Sequence, residues 1–274
     1  MLSDGRSEFA RLRQGDEAEG AGMGGRQPDS HGGKEQMRLR HLLPGLLVLL
    51  CSSASPLAAA LFRVSVGSNG EQGNDSSWVP SISADGNTVA FMSLASTLVP
   101  GDTNEARDIF VRYRATGQTR RVSLGPAGVQ ANDDCWEPVI SPDGGWVAFS
   151  SDATNLVPDD TNGVRDVFVT NLSSGETVRV SVASGGGQAN GPSREPRIGA
   201  EGRLVAFTSE ATNLVGGDTN GVSDVFLHDR STNGTDRVSV GAGGVEANGP
   251  SRDPAISGDG TVVAFCSSAS NLVS

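Results

Sequence analysis

A repeat of 58 residues is the feature of this chain that most constrains its fold. The tripeptide Arg-Val-Ser recurs at this spacing, and so do a glycine in a turn and the tripeptide Val-Ala-Phe that follows the turn. Arg-Val-Ser begins at Arg63, Arg121, Arg179 and Arg237. No insertion or deletion breaks the register. Self-similarity at a fixed period of this size indicates one supersecondary unit that is copied and stacked, each copy burying the faces of its neighbours.

Each copy predicts four short β-strands. In the second copy they are 138–141, 146–149, 166–169 and 178–182. An Asp-Gly turn joins the first two, and Ser-Gly joins the last two, which indicates two hairpins per copy. Val-Ala-Phe and Val-Phe-Val are continuous apolar runs, so the sheets are expected to be covered on both faces. The prediction is an all-β fold, a β-propeller of four-stranded antiparallel blades.

These motifs resemble those of a known family. The run Ile-Ser-Pro-Asp-Gly at 140–144, followed by Val-Ala-Phe-Ser at 147–150, resembles the WD-like β-propeller repeat of TolB and many exported bacterial proteins. The resemblance covers 62–274. It implies a propeller that serves either as a partner-binding scaffold or as a domain attached to a peptidase. The copies are longer than the ~40–45 residues of a WD-type blade, and the extra length lies in two connections.

The two long connections of each copy are expected to share one rim of the propeller. In an antiparallel blade the second-to-third connection and the blade-to-blade connection leave the sheet at the same end. In the second copy they correspond to 151–165 and 125–137. Binding residues concentrate on loops held by a rigid scaffold, so this rim is the expected binding surface.

The repeats divide the predicted domain, 61–274, into three complete copies and one partial copy. Their bounds are 63–120, 121–178, 179–236 and 237–274. Propellers typically have four to eight blades, so three and a half blades predict an incomplete propeller. A head-to-tail pair of such chains is the alternative.

The N-terminal residues predict export. Residues 37–60 combine a basic start, an apolar core at 42–50 and small residues before position 60, which together are typical of a secretory signal peptide. The apolar stretch is shorter than the ~20 residues of a membrane span, so no stable span is expected after cleavage. Residues 1–36 lack apolar periodicity and are interpreted as disordered or as translated from a misassigned upstream start. The expected location is the periplasm or the outside of the cell.

Charge and composition argue against several classes of function. The formal net charge is −11, which makes nucleic acid a poor partner. The only lysine is Lys34, His228 is the only histidine after the leader, and no Gly-x-Ser-x-Gly motif is present. We therefore predict a non-catalytic binding or scaffold module whose partner is a protein or another extracellular ligand. The alternative is an accessory propeller domain of a peptidase or glycan-active enzyme whose catalytic part is missing from this chain.

One residue of each copy, two positions before a proline, is large and planar. These residues are Trp78, Trp136, Arg194 and Arg252. They could form a ligand-facing ring near the mouth of the central channel. Alternatively, they could stack against the next blade, because inter-blade packing uses large planar side chains.

A second pattern, Asp-x-Asn-x-x-x-Asp, precedes the third strand of each complete copy. Its members are Asp102, Asn104, Asp108, Asp160, Asn162, Asp166, Asp218, Asn220 and Asp224. Oxygen ligands at positions one, three and seven resemble the opening of a calcium loop, although a carboxylate at position five and the glutamate at twelve are lacking. Calcium is therefore one hypothesis. The other is that these side chains cap turns that lead into the third strand.

Overall fold

The computed structural model describes residues 48–50 and 61–273 of the chain. Residues 1–36, and the predicted signal peptide apart from 48–50, lie outside the described residues. Within the described part, no helix is long and apolar enough to cross a membrane. The regular elements there are strands and three short 3-10 turns, at Pro126–Gly128, Ala200–Gly202 and Ala242–Gly244.

The strands form three complete blades and two strand pairs, so the predicted β-propeller fold is confirmed. The first blade contains β3 (Ser77–Ile82), β4 (Thr88–Ser93), β5 (Asp108–Tyr113) and β6 (Gln118–Arg121). The second blade contains β7 (Cys135–Ile140), β8 (Trp146–Ser151), β9 (Asp166–Asn171) and β10 (Thr177–Arg179). The third blade contains β11 (Ser193–Ile198), β12 (Leu204–Ser209), β13 (Asp224–Asp229) and β14 (Gly234–Arg237). The pairs are β1 (Val48–Leu50) with β2 (Leu61–Arg63), and β15 (Ser251–Ile256) with β16 (Val263–Ser267). All neighbouring strands are antiparallel and follow sequence order.

The first strand of each blade packs against the preceding blade. β7 contacts β3, β4 and β5, while β11 contacts β7, β8 and β9, and β15 repeats this arrangement on the third blade. Blades stacked in this way cover both faces of the sheets between them. This accounts for the continuous apolar runs, because alternate residues of one strand are buried against different blades.

Each complete blade has a phenylalanine pair at its centre. Phe149 of β8 stacks on Phe168 of β9 with ring centroids 5.9 Å apart, and the other two blades repeat the pair at 5.8 and 5.9 Å. Both rings of each pair are fully buried. Around them, smaller side chains such as Ala148 and Val147 fill the space between adjacent blades. A layer of core side chains therefore lies between each pair of adjacent blades.

The strand register places both long connections at one rim. Cys135 at the start of β7 pairs with Ser151 at the end of β8, and Ser151 pairs with Asp166 at the start of β9. The tight turns of the two hairpins therefore lie at the opposite end. We call the end formed by 122–134, 152–165 and the corresponding segments of the other copies the loop rim.

A bulge interrupts the first strand of every blade, one residue before its proline. The residues there have positive φ: 50° at Val79, 54° at Glu137, 57° at Glu195 and 53° at Asp253. The strand pairing shifts register at the same place. The Oε2 of Glu137 accepts a hydrogen bond from the N–H of Glu195 at 2.8 Å, and the Oε2 of Glu195 accepts one from the N–H of Asp253 at 2.9 Å. Carboxylates thus link the first strands of successive blades.

Candidate binding rim

Trp136 lies between two guanidinium groups at the loop rim. Arg107, just before β5 of the first blade, lies 4.2 Å from the ring centroid, and Arg165, just before β9, lies 4.9 Å from it. Asp134 pairs with Arg107 at 2.5 Å and Asp152 pairs with Arg165 at 2.6 Å. The indole Nε1 also donates to Asp152 at 3.2 Å. Trp136 thus stacks on one cation of the preceding blade and on one of its own blade. The ligand-facing ring stays a prediction.

The other three residues of the predicted ring have different surroundings. The side chain of Trp78 is partly exposed on the first blade. Arg194 forms an ion pair with Glu210, and Arg252 forms one with its neighbour Asp253 at 3.4 Å, all four side chains being well exposed. No hydrogen bond, ion pair or ring contact joins the four ring residues to one another within the described part of the chain. They therefore contribute separate polar and aromatic groups at the start of the first strands, next to the loop rim.

The residues of the second pattern converge on the arginine of Arg-Val-Ser. In the second copy, the Nη1 of Arg179 lies 2.8 Å from Asp160 Oδ1 and 3.2 Å from Asp166 Oδ2. Asn162 donates from Nδ2 to the same Asp166 oxygen at 2.8 Å, and Ser181 donates to the other Asp166 oxygen at 2.5 Å. These carboxylates are almost fully buried, so the guanidinium is their counter-ion.

The same cluster recurs in the first and third copies. The aspartate–arginine distances there are 3.1 Å for Asp102–Arg121, 2.9 Å for Asp108–Arg121, 3.1 Å for Asp218–Arg237 and 3.5 Å for Asp224–Arg237. Asn104 and Asn220 donate to their aspartates as Asn162 does. Burial raises the pKa of Asp102, Asp160 and Asp218 above the ordinary value, even though each faces a guanidinium.

This donor set fits a calcium ion poorly. Calcium requires six to eight oxygen ligands, whereas the asparagine presents its N–H₂ group to the aspartate and the arginine lies between the carboxylates. Among the described residues, no group of three or more His, Cys, Asp or Glu side chains could hold a metal ion. Calcium binding stays a prediction, and the arrangement favours its alternative, structural turns.

We expect calcium at millimolar concentration to leave the melting temperature unchanged relative to equal magnesium, because Arg179 and its counterparts already neutralise the buried carboxylates. Thermal unfolding of the purified protein, followed by circular dichroism, measures this. A rise that is specific to calcium, and that Asp160→Ala abolishes, would show that these loops bind the metal.

Side-chain clasps hold the loops of the rim together. Asn190 accepts from the N–H of Thr212 at 2.8 Å, and its own N–H donates to Asn213 Oδ1 at 3.0 Å. Asn213 Nδ2 then donates to the carbonyl of Gln188 at 2.8 Å. The Gln188 side chain accepts a hydrogen bond from the N–H of Thr161 and donates one to its hydroxyl. The second copy repeats the asparagine clasp. The Gln-Ala-Asn motif thus joins the blade-to-blade connection to the loop between the second and third strands.

Glu246 replaces the glutamine of this clasp in the fourth copy. It accepts from the N–H of Thr219 at 2.8 Å, from the Thr219 hydroxyl at 2.7 Å and from Arg237 at 2.7 Å. The Thr219 hydroxyl, followed by its N–H and Arg237, lowers the Glu246 pKa to about 2. The carboxylate is therefore held in its ionised form at this position.

The variant Glu246→Gln restores the residue found at Gln130 and Gln188 and should change the acid dependence of stability. The folded-state pKa is depressed from 4.5 to about 2, so the ionised carboxylate stabilises the fold above pH 4.5, and this stabilisation is lost as the pH falls toward 2. We expect wild type to melt above the variant at pH 6, with the difference shrinking through that window. Melting curves between pH 6 and pH 2 measure it. A difference that does not change with pH would contradict the assignment.

His228 is a buried structural residue. Its Nδ1 lies 2.9 Å from the Thr235 hydroxyl, which donates to the carbonyl of Val182, just after the last strand of the second blade, at 2.5 Å. Burial, followed by the nearby charge of Arg230, lowers the His228 pKa. His228 occupies the position of Arg112 in the first blade and of Thr170 in the second blade. Its neutral imidazole lies between adjacent blades, so this position serves inter-blade packing.

Comparisons with known proteins return similar structures only. No family model matches the chain, and no curated protein matches it. TolB from Acinetobacter baumannii shares 19% identity at a TM-score of 0.43, over 70% of this chain and 37% of its own. The putative TolB from Agrobacterium tumefaciens shares 16% sequence identity at a TM-score of 0.34, over 70% of both chains. Porphyromonas gingivalis dipeptidyl peptidase 4 shares 15% identity at a TM-score of 0.47, over 78% of this chain and 32% of its own. The chain thus spans well under half the length of the first and third of these proteins.

Proposed function

We propose that this chain is an exported, non-catalytic propeller module that binds a protein partner through the loop rim. The observation that carries the proposal is the set of asparagine clasps, which hold long loops in one conformation on a rigid scaffold. Loops fixed in this way lose little conformational entropy when a partner binds. Rigid scaffolds that present such loops are a common design of binding proteins.

Apolar residues at the loop tips support the same surface. Val129 and Val245 follow 3-10 turns of the rim and are 54% and 55% exposed. They occupy equivalent positions, one in the connection from the first blade to the second and the other in the connection from the third blade to β15. Exposed aliphatic side chains on a polar rim can supply the apolar part of a protein-binding surface. The acidic net charge of the chain favours a partner with basic groups.

The ionisable groups support a non-catalytic role. His228 is buried with a lowered pKa, and burial raises the pKa of the Cys135 thiol. Both groups are therefore held neutral inside the blades, away from a substrate. Cys266 is a free, exposed cysteine.

Binding at the rim is tested by comparing charge-matched variants. The rim variant carries Val129→Asp and Val245→Asp, and the control carries Ser174→Asp and Thr232→Asp, two exposed positions in turns at the opposite end. Partners are recovered from the extracellular and periplasmic fractions with each immobilised protein and identified by mass spectrometry. We expect the rim variant to lose a partner that wild type and control both retain. Equal recovery by all three proteins, or equal loss by both variants, would refute the rim as the binding surface.

Export is tested separately. The chain expressed from Met37 should appear outside the cytoplasm with a new N-terminus near residue 61, because signal peptidase cleaves after small residues. N-terminal sequencing and intact mass of the secreted product measure this. A product that retains 37–60 would contradict cleavage.

A further inference from the structure

A cavity of about 70 Å³ lies between the first and second blades. Its walls come from both blades and are mainly apolar. They include Val111, Tyr113, Val122, Leu124, Thr170 and Leu172. Val111 and Val122 belong to the buried core, whereas Tyr113 and Leu172 are partly buried and pack against it. Because these last two side chains are only partly buried, the cavity is open to solvent on their side.

One position of the third strand makes the same hydrogen bond in each complete blade. Arg112, Thr170 and His228 occupy this position. Each lies 2.8–2.9 Å from the hydroxyl of a threonine on the fourth strand. Each threonine in turn donates to a backbone carbonyl 53 positions earlier in the chain. The position therefore lies at the interface that each blade makes with the part of the chain before it.

Short side chains in the second blade account for the cavity. Thr170 stands where the other two blades have Arg112 and His228. Leu172, two positions further along, stands where they have arginines, whose Nη1 atoms each donate to a backbone carbonyl at 2.7 Å. Two long, nitrogen-bearing side chains are therefore missing from this interface, and Thr170 and Leu172 line the space instead.

The hydroxyl oxygen of Thr170 is able to accept a hydrogen bond from an occupant. The Thr177 hydroxyl donates its single hydrogen to the carbonyl of Leu124 at 3.0 Å. The Thr170 hydroxyl, 2.8 Å from that of Thr177, therefore supplies the hydrogen of the bond between them, and its oxygen retains its lone pairs. Apolar walls together with such an acceptor suit a flat apolar molecule that carries an N–H or O–H donor.

The volume limits the occupant to a small ring. A water molecule needs about 10–15 Å³ of cavity volume, so this cavity holds about five to seven non-hydrogen atoms. A five- or six-membered ring has about this size. The other two blades place the same kind of group at the position of Thr170, since the imidazole of His228 and the guanidinium of Arg112 are both planar N–H donors.

We propose that the cavity between the first and second blades binds a small, uncharged heteroaromatic ring that carries an N–H donor, such as imidazole. The ring takes the place that the imidazole of His228 occupies in the third blade. Arg120 and Arg121 also line the cavity, so their charge disfavours a cationic occupant. The site does not involve the exposed loop tips of the loop rim, so it stands independently of the proposed function.

Imidazole itself, added to the full chain at pH 8, where most of it is uncharged, tests the site. Tyr113 is the only tyrosine of the chain, so labelling tyrosine with carbon-13 gives one set of nuclear magnetic resonance signals, at the wall of the cavity. We expect these signals to shift in a saturable way, with a dissociation constant on the order of 1 mM for so small a ring. A cavity that holds water only would leave the signals unchanged, and this result would overturn the proposal.

Two variants that refill the cavity show where imidazole binds. Thr170→His copies the third blade, and Leu172→Arg copies the first and the third. Each should raise the dissociation constant by about tenfold or more. Thr232→His, at an exposed position in the turn between β13 and β14, is the control, because it adds the same ring outside the cavity. Circular dichroism verifies that each variant keeps the fold. Binding that neither filling variant weakens, or that the control weakens equally, would refute the site.

Discussion

Replacing Arg179 with glutamine is expected to lower the free energy of unfolding by about 3–5 kcal/mol. The guanidinium is the counter-ion of Asp160 and Asp166, and the side chains of all three residues are at least nine-tenths buried. Its removal leaves two buried carboxylates without a cation, because the glutamine side chain carries no charge. Urea unfolding of the full chain, followed by far-ultraviolet circular dichroism, measures the loss.

Arg203→Gln is the matched control for this substitution. Arg203 also pairs with an aspartate, Asp229, at 2.6 Å, but its side chain is largely exposed. Exposed ion pairs contribute about 0–1 kcal/mol. If Arg179→Gln costs no more than Arg203→Gln, the guanidinium does not stabilise the fold as the counter-ion of the buried carboxylates.

The arginine clusters show where prediction from the sequence stopped. The sequence shows Asp160 and Asp166 as a repeated pattern, but it shows Arg179 only as part of the repeated Arg-Val-Ser. Arg179 lies 19 and 13 positions further along the chain. Only the antiparallel pairing of β9 with β10 brings it to the carboxylates. A pattern of oxygen ligands within one loop cannot reveal a cation supplied by another strand.

The fold itself was predictable because local signals agreed. Turn glycines, continuous apolar runs and a constant period all indicated stacked four-stranded sheets, and the structure has these strands within a few residues of the expected positions. The bulge at Glu137 is not predicted by the sequence, which indicates a strand that begins at Pro138, whereas β7 begins at Cys135. The acidic residues that recur at Glu195 and Asp253 were a usable signal, yet their hydrogen-bond partners lie 58 positions away in the next blade.

Substituting Gly202 with alanine is expected to destabilise the protein by about 2–5 kcal/mol. Gly202 has a φ of +64°, where an L-residue costs about 1–2 kcal/mol, and a Cβ there would overlap the indole of Trp146 in the preceding blade. Relief of that overlap would push Trp146 from Arg230, which lies 4.0 Å from its ring and donates to the Gly202 carbonyl at 2.7 Å. Overpacking of this kind adds about 1–3 kcal/mol. Urea unfolding measures the sum.

Gly163→Ala separates the two contributions to this effect. Gly163 has nearly the same φ, +67°, but a Cβ there meets no atom within 4 Å. Its substitution should cost only the backbone contribution, about 1–2 kcal/mol. Trp146→Leu, which copies Leu204 of the third blade, should then recover part of the additional loss when combined with Gly202→Ala, because the smaller side chain removes the overlap. Equal losses for Gly202→Ala and Gly163→Ala, or no coupling in the double variant, would mean that the turn of the third blade does not pack on Trp146. A positive coupling would identify this glycine as a site where close approach between blades, in addition to the turn conformation, requires the absence of a side chain.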